Sequence, residues 1–240
     1  MKEGAGRISS RFMAVFSGVL NFFYPPYCAV CGKFMEDPSR LICDQCWDGF
    51  PAFGELPVQV PSSQAVISSV IVGFLGEGDL DDPMNTIIHE FKYFRRKAHA
   101  RGLASGIATL IASAHWMKRI DTIVPVPLHP SKQRSRGYNQ SQLVADQLGN
   151  LFGLPVVSEV LVRIRATRTQ TRLTAEQRRR NVAGAFKVKD RAPLEQKRVL
   201  LIDDVVTTGA TLNECAKTLL KAGAHSVHAA AAVHFQHMLP

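Results

Sequence analysis

Nine residues that follow one continuous apolar run decide most of what this chain can become. The run, Val199-Leu-Leu-Ile202, carries no polar interruption and so suits a central strand of a parallel sheet covered on both faces. Directly behind it stand Asp203-Asp204-Val205-Val206-Thr207-Thr208-Gly209-Ala210-Thr211, after which Leu212, Cys215, Leu219 and Leu220 recur at helical spacing. Strand, tight loop and helix in this order put the loop at the carboxyl end of a strand, where open α/β sheets hold their ligands.

The chemistry of the nine residues suits that place. Backbone N–H groups of Thr207 to Thr211 at a helix N-terminus can bind a phosphate without any cation, with threonine hydroxyls as further donors and Gly209 allowing close approach. Asp203 and Asp204 can accept from vicinal sugar hydroxyls or orient water around Mg2+. An acidic pair beside a phosphate cradle is the signature of a ribose 5-phosphate site. The competing explanation is that the aspartates cap a turn and the threonines cap a helix. No Gly-Lys-Ser/Thr follows and no G-x-G-x-x-G occurs, which removes the Walker loop and the dinucleotide fingerprint.

Strand and helix patterns alternate around this motif at 122–126, 140–151, 156–162 and 227–233, an arrangement that predicts a parallel α/β sheet. Prolines 125 and 127 make 122–126 the end of a strand passing into a loop. Upstream, 65–75 reads as a strand. Asp82-Pro83 opens a helix whose apolar positions are Ile87, Ile88, Phe91 and Phe94, and Leu103, Ile107, Leu110 and Ile111 mark another. Pro51, Pro57 and Pro61 make 50–63 a linker, so the expected organisation is a small module over 1–60 and an α/β domain over 61–240.

The chain carries 29 Lys+Arg against 20 Asp+Glu, a balance that favours phosphate-bearing partners. Two stretches concentrate it. Lys132, Arg134 and Arg136, with Gly137, form a basic loop suited to a diphosphate, or else a solvated surface loop. Seven arginines, among them Arg168, Arg172, Arg178, Arg179 and Arg180, fall within 163–180. Such a segment, if flexible, closes over a diphosphate in an enzyme, tracks single-stranded DNA in a binding protein, or is an exposed charged helix. It has no aromatic residue of its own, so stacking on bases would fall to Tyr138 or Phe186.

Cys28-x-x-Cys31 and Cys43-x-x-Cys46, with eleven residues between the pairs, can close a tetrahedral Zn2+ site. No coordination position stays open, which makes the metal structural. Disulfides are the competing use, and reduced thiols fit a cytoplasmic chain better. Cys215 stands alone as a core residue. The apolar run 12–24 lacks a convincing cleavage site and is too short to cross a bilayer, so it reads as an amphipathic helix and no transmembrane segment is expected.

The nine-residue motif resembles the phosphoribosyl pyrophosphate (PRPP) motif of the type I phosphoribosyltransferases. Phe23-Tyr-Pro-Pro-Tyr-Cys28, Lys92-Tyr93, Val124-Pro-Val-Pro-Leu-His129, Arg136-Gly-Tyr-Asn-Gln140 and Asn181-Val-Ala-Gly-Ala-Phe186 together resemble the ComF family over nearly the whole chain. The resemblance implies an α/β type I phosphoribosyltransferase fold with a small zinc-ribbon-like N-terminal module. It also implies PRPP bound with Mg2+ and, for some members, a role with single-stranded DNA and DNA-uptake proteins. Carried over, Asp203 and Asp204 meet the ribose, Thr207, Thr208, Gly209 and Thr211 hold the 5'-phosphate, and the loop after Val126 meets diphosphate. Two features depart from the family pattern: Phe94-Arg95 follows Lys92-Tyr93 where a glycine is usual, and Asp81-Asp82 fills an often basic position.

Overall fold

The structure, a computed structural model, describes residues 27–37, 40–67, 69–79, 81–166 and 174–236. It divides into two compact units, Met1–Gly49 and Phe50–Pro240. In the first, an antiparallel bridge joins Tyr27 to Phe34 and a short helix, α1, spans Asp44–Gly49. The amphipathic helix expected over 12–24 lies outside the described residues.

The second unit is built on five strands: β1 (Ala52–Pro57), β2 (Ser69–Gly76), β3 (Thr122–Pro125), β6 (Arg198–Val206) and β7 (Ser226–Phe235). Two short strands, β4 (Leu161–Arg163) and β5 (Phe186–Val188), form a separate antiparallel ribbon. The sheet order is β1-β2-β7-β6-β3. β2, β7, β6 and β3 run parallel, and β1 pairs antiparallel with β2 from Ala52↔Phe74 to Pro57↔Ser69. The sheet is therefore mixed but mostly parallel.

Residues 50–63, expected to be a linker, thus supply an edge strand. Prolines 51 and 57 bracket it, and proline is tolerated there because an edge strand leaves N–H positions unpaired. The run 156–162 also differs from expectation. Val156 makes a single parallel bridge to Ile123 beside β3, and the chain then leaves the sheet to enter β4.

Four helices of the second unit follow the sequence pattern closely, α2 (Pro83–Tyr93), α3 (His99–Ile111), α5 (Gln140–Phe152) and α7 (Ala210–Lys221), while α6 (Ala175–Val182) takes the charged-helix alternative for part of the arginine segment. Asp82 caps α2 by accepting from the Met84 N–H, with Pro83 in the first turn. Met84, Ile87, Ile88 and Phe91 are its buried face, whereas Phe94 lies just past the last turn and is 64% exposed. Phe94 is therefore not a core residue: the helix stops at Tyr93, and Arg95 turns the chain with φ 58°.

The presumed diphosphate loop contains a helix, α4 (Pro130–Arg136). His129 Nδ1 accepts from the Ser131 N–H, Pro130 fills the first turn, and Gly137 ends it with φ 82°.

Period-two alternation in β6 assigns its side chains to two layers. Val199 and Leu201 join the core under α7, formed with Leu212, Cys215, Ala216 and Leu219. Leu200 and Ile202, equally buried, face the opposite side, where α5 packs on β6 and β3 and α3 packs on β2 and β7. Cys215 is fully buried in this core, as expected.

Candidate functional site

β6 delivers Asp203 and Asp204 to its carboxyl end, and 207–209 turn the chain into α7. Gly209 holds φ 73° at the helix N-cap, and a Cβ there would sit 3.0 Å from Val58 Cγ2. Glycine is thus favoured twice, by the left-handed backbone and by a neighbour that a Cβ would press on. The segment after β1 buttresses this turn: the Gln59 N–H donates to the Thr208 carbonyl at 2.9 Å. Asn213 in α7 ties in the next residues, accepting from the Val66 N–H and donating to the Gln64 carbonyl. The Thr208 hydroxyl is buried and accepts from the Ala210 N–H, while Thr207 and Thr211 are half-exposed.

The two carboxylates are held differently. Asp203 Oδ1 accepts from the Ser141 hydroxyl and from the Asp204 N–H, each at 2.9 Å. Burial and then the Asp204 charge push its carboxyl up to about 8. Asp204 Oδ1 accepts from the Val205 N–H, and Lys92 Nζ lies 3.5 Å from Asp204 Oδ2. Burial works against ionisation of Asp204 too, but the charges of Lys92 and Arg136 outweigh it and hold the group below its ordinary value.

Cations gather on the same side. Burial lowers the Lys132 ammonium, and the positive charges of Arg163, Arg136 and Lys92 lower it further. Arg163, on β4, stacks its guanidinium 5.2 Å from the centre of the Phe186 ring and lies within electrostatic reach of Asp203. Lys92 from α2, Lys132 and Arg136 from α4 and Arg163 from β4 thus form one positive cluster beside an acidic pair. Arg134 is exposed on α4, and Gly137 is the αL residue that ends that helix.

In the arginine run, Arg168 and Arg172 lie outside the described residues. Arg178, Arg179 and Arg180 sit on α6, which opens with a capping box between Thr174 and Gln177. Arg179 donates to the Gln59 carbonyl at 3.3 Å, Arg180 pairs with Glu176 at 2.5 Å, and Arg178 is half-buried. Arg179 and Arg180 are thus engaged by local partners. Tyr138 and Phe186, the expected stacking residues, are 7% and 6% exposed and so have no face to offer a base.

In the first unit the Sγ atoms of Cys28, Cys31, Cys43 and Cys46 lie within 4.8 Å of one another, and Cys31 and Cys43 are 3.8 Å apart. Zn–S bonds of ~2.3 Å at tetrahedral angles require sulfurs ~3.8 Å apart. The four thiols therefore fit zinc, and none of them is in a disulfide. The Cys43 N–H points at Cys28 Sγ, and N–H groups of Cys31, Cys43 and Val30 draw the Cys28 thiol down to about 6 against the effect of burial.

Residues 103–237 match the model of the phosphoribosyl transferase domain, and residues 19–57 that of the double zinc ribbon domain. Competence protein F of Haemophilus influenzae is 32% identical over 206 residues, covering 84% of this chain and 82% of that protein. The chain belongs to the ComF family. DNA utilization protein YhgH of Salmonella typhimurium is 34% identical over 208 residues, covering 83% of this chain and 86% of its own length. Competence protein ComFC of Bacillus subtilis is 27% identical over 143 residues, 60% of this chain and 56% of that protein.

The ComF chain has the type I phosphoribosyltransferase fold and a four-cysteine zinc ribbon that accounts for a structural Zn2+. No helix among the described residues is long and apolar enough to cross a membrane. Sequence reasoning brought Asp203, Asp204, Lys132 and Arg136 to one place but missed Ser141, Lys92 and Arg163 as their neighbours. Lys92 and Ser141 lie 112 and 62 positions before Asp204 and Asp203 and carry no local pattern that points there. Arg163 does carry a local signal, since it closes an apolar run, but its place among seven arginines obscures it.

Proposed function

We propose that the Phe50–Pro240 unit binds PRPP, or another ribose 5-phosphate, at the end of β6. The observation that carries this reading is the adjacency of the Asp203–Asp204 pair to Lys92, Arg136 and Arg163, with Lys132 beside those cations, behind a tight loop that enters α7. Residues 207–211 hold the 5'-phosphate through N–H and hydroxyl donors, with Val205, Val206 and Ala210 fixing the backbone on either side. Asp203 and Asp204 accept from the ribose hydroxyls. Lys132, Arg136, Lys92 and Arg163 face the diphosphate, and the site has no use for Arg134, whose side chain is exposed.

Two adjacent carboxylates next to a diphosphate pocket fit Mg2+, which takes one or two carboxylates plus substrate phosphates and keeps several waters. When bound, magnesium supplies charge that offsets the diphosphate. In a transfer, the bond from the anomeric carbon to diphosphate breaks with oxocarbenium character and a bond to the acceptor nucleophile forms. The chain's contribution is to position the sugar and to stabilise the departing anion.

The reaction is tested by incubating the zinc-loaded protein with PRPP, Mg2+ and a panel of nucleobases and amines. Diphosphate release that depends on one acceptor supports transfer. Binding without release supports a non-catalytic PRPP-responsive role.

A second reading, handling of single-stranded DNA together with DNA-uptake proteins, draws support from relatives named for competence and DNA utilization. One structural feature favours it: two exposed aromatic rings amid cations at the end of α2.

A further inference from the structure

The helix α2 buries Met84, Ile87, Ile88 and Phe91 and turns His89 and Tyr93 outward, one helical turn apart. Tyr93 is 60% and Phe94 64% exposed, and no large hydrophobic residue among those described is more exposed than Phe94. The rings form a group: His89 lies 4.9 Å from Tyr93 and 5.5 Å from Phe94, centre to centre. Exposing two adjacent large rings forgoes ~1.5–3 kcal/mol of burial for each, so a ligand that covers them has a favourable term to recover.

Cations surround the rings. Arg136 places its guanidinium 5.3 Å from the centre of Tyr93, and Lys97 Nζ lies 5.4 Å from the centre of Tyr138. The Arg95 guanidinium lies 3.7 Å from where a Cβ on residue 137 would be, which brings the turn after α2 against the end of α4. Arg96 is exposed between them. The acid nearest in sequence, Glu90, is engaged at 2.9 Å by His99. Asp81 and Asp82 sit at the opposite end of α2.

We infer that the His89–Tyr93–Phe94 rings, with Arg95, Arg96, Lys97 and Arg136, form a binding surface for single-stranded nucleic acid. The occupant must present flat apolar faces and negative charge in the same short repeat. Unpaired nucleotides do so at every step, whereas a duplex hides its base faces and an acidic peptide has few rings. This surface adjoins the ribose-phosphate site, because Lys92 precedes Tyr93 and Arg136 belongs to both. The inference rests on the reading of nucleic-acid handling and moves its centre from the arginines of α6, of which Arg179 and Arg180 already have local partners, to the end of α2.

The test is a fluorescence-anisotropy titration of labelled oligothymidylate of about 15 nucleotides, a length near the ~4–16 covered by known single-strand modules. A backbone of equal length without bases is the control. The full zinc-loaded chain is compared with Tyr93→Ala/Phe94→Ala, Arg95→Gln/Arg96→Gln and Arg178→Ala/Arg179→Ala/Arg180→Ala variants. The surface predicts that loss of the rings weakens oligothymidylate binding by roughly ten-fold, leaves the baseless strand unaffected, and leaves the melting temperature near that of wild type. The Arg95/Arg96 variant is expected to flatten the salt dependence. Phe94→Trp is expected to lose indole fluorescence on adding the strand. Equal affinity of wild type and the ring variant overturns the surface. If binding then depends on the α6 arginines, nucleic-acid handling stands without it; if wild type binds no strand at all, both fall.

Discussion

Lys92 Nζ stands 3.5 Å from Asp204 Oδ2, although α2 and β6 are separated by more than half of the α/β unit's sequence. The pairing makes two neighbouring carboxylates unlike. Asp204 is held ionised by Lys92 and Arg136, while Asp203, half-buried and next to that negative charge, retains its proton to about 8. One group is thus a standing acceptor and the other can donate until a ligand or cation reorganises the pair.

Asp203→Asn is expected to stabilise the ligand-free protein, and more at about pH 8 than at about pH 5. In the unfolded chain this carboxyl titrates near 3.8, in the folded chain near 8. Between those values the folded state retains a proton that the unfolded state has released, so stability falls as pH rises through the window. Asparagine removes that dependence. Thermal melts of both proteins across the window check it, and a difference that is flat or shrinks with pH contradicts it.

Gly209→Ala is expected to cost stability on two counts. A residue with a Cβ in the left-handed region costs ~1–2 kcal/mol, and the new methyl meets Val58 Cγ2 at 3.0 Å. A loss of roughly 2–8 °C in melting temperature follows from the backbone part alone for a unit of this size. Adding Val58→Ala is expected to recover the steric part and leave the backbone part. Recovery of the whole loss would contradict the left-handed requirement.

How much of this was legible follows from particular residues. The run 199–212 announced its strand, loop and helix because each step is a local signal: unbroken apolar residues, paired acids, then apolar residues at helical spacing. Cys28 to Cys46 was legible for the same reason. β1 was not, since Pro51 and Pro57 read as linker residues unless the strand is known to lie at a sheet edge. α4 carried its own signals, Pro130 and Gly137, but its basic residues drew attention to charge first. Exposure was the least legible property. Phe94 continued the apolar spacing of α2 yet lies outside it, while Tyr138 and Phe186, expected at the surface, are buried by tertiary packing that no local pattern encodes.

Lys132→Ala is expected to weaken PRPP binding by roughly ten-fold, or ~1.4 kcal/mol, whereas Arg134→Ala leaves it within two-fold of wild type. The two residues share a helix and a charge sign, but Lys132 is half-buried within reach of the Arg163, Arg136 and Lys92 charges, whereas Arg134 is exposed. Equal losses from both variants would mean that the binding effect is a diffuse field of positive charge.

Purified protein is expected to hold one zinc ion per chain, and Cys43→Ser to lose it, as measured by atomic emission after dialysis against a weak chelator. The 3.8 Å separation of the Cys31 and Cys43 sulfurs leaves both thiolates on one ion. Full zinc content in the variant, or none in the wild type, would contradict a four-thiolate site.

The most direct test of the ribose-phosphate site is a calorimetric titration of the zinc-loaded protein with PRPP and Mg2+, run in parallel on an Asp203→Asn/Asp204→Asn variant. Saturable binding by the wild type, weakened at least ~ten-fold in the variant, is the predicted result. Absence of binding to the wild type, or unchanged affinity in the variant, would contradict it.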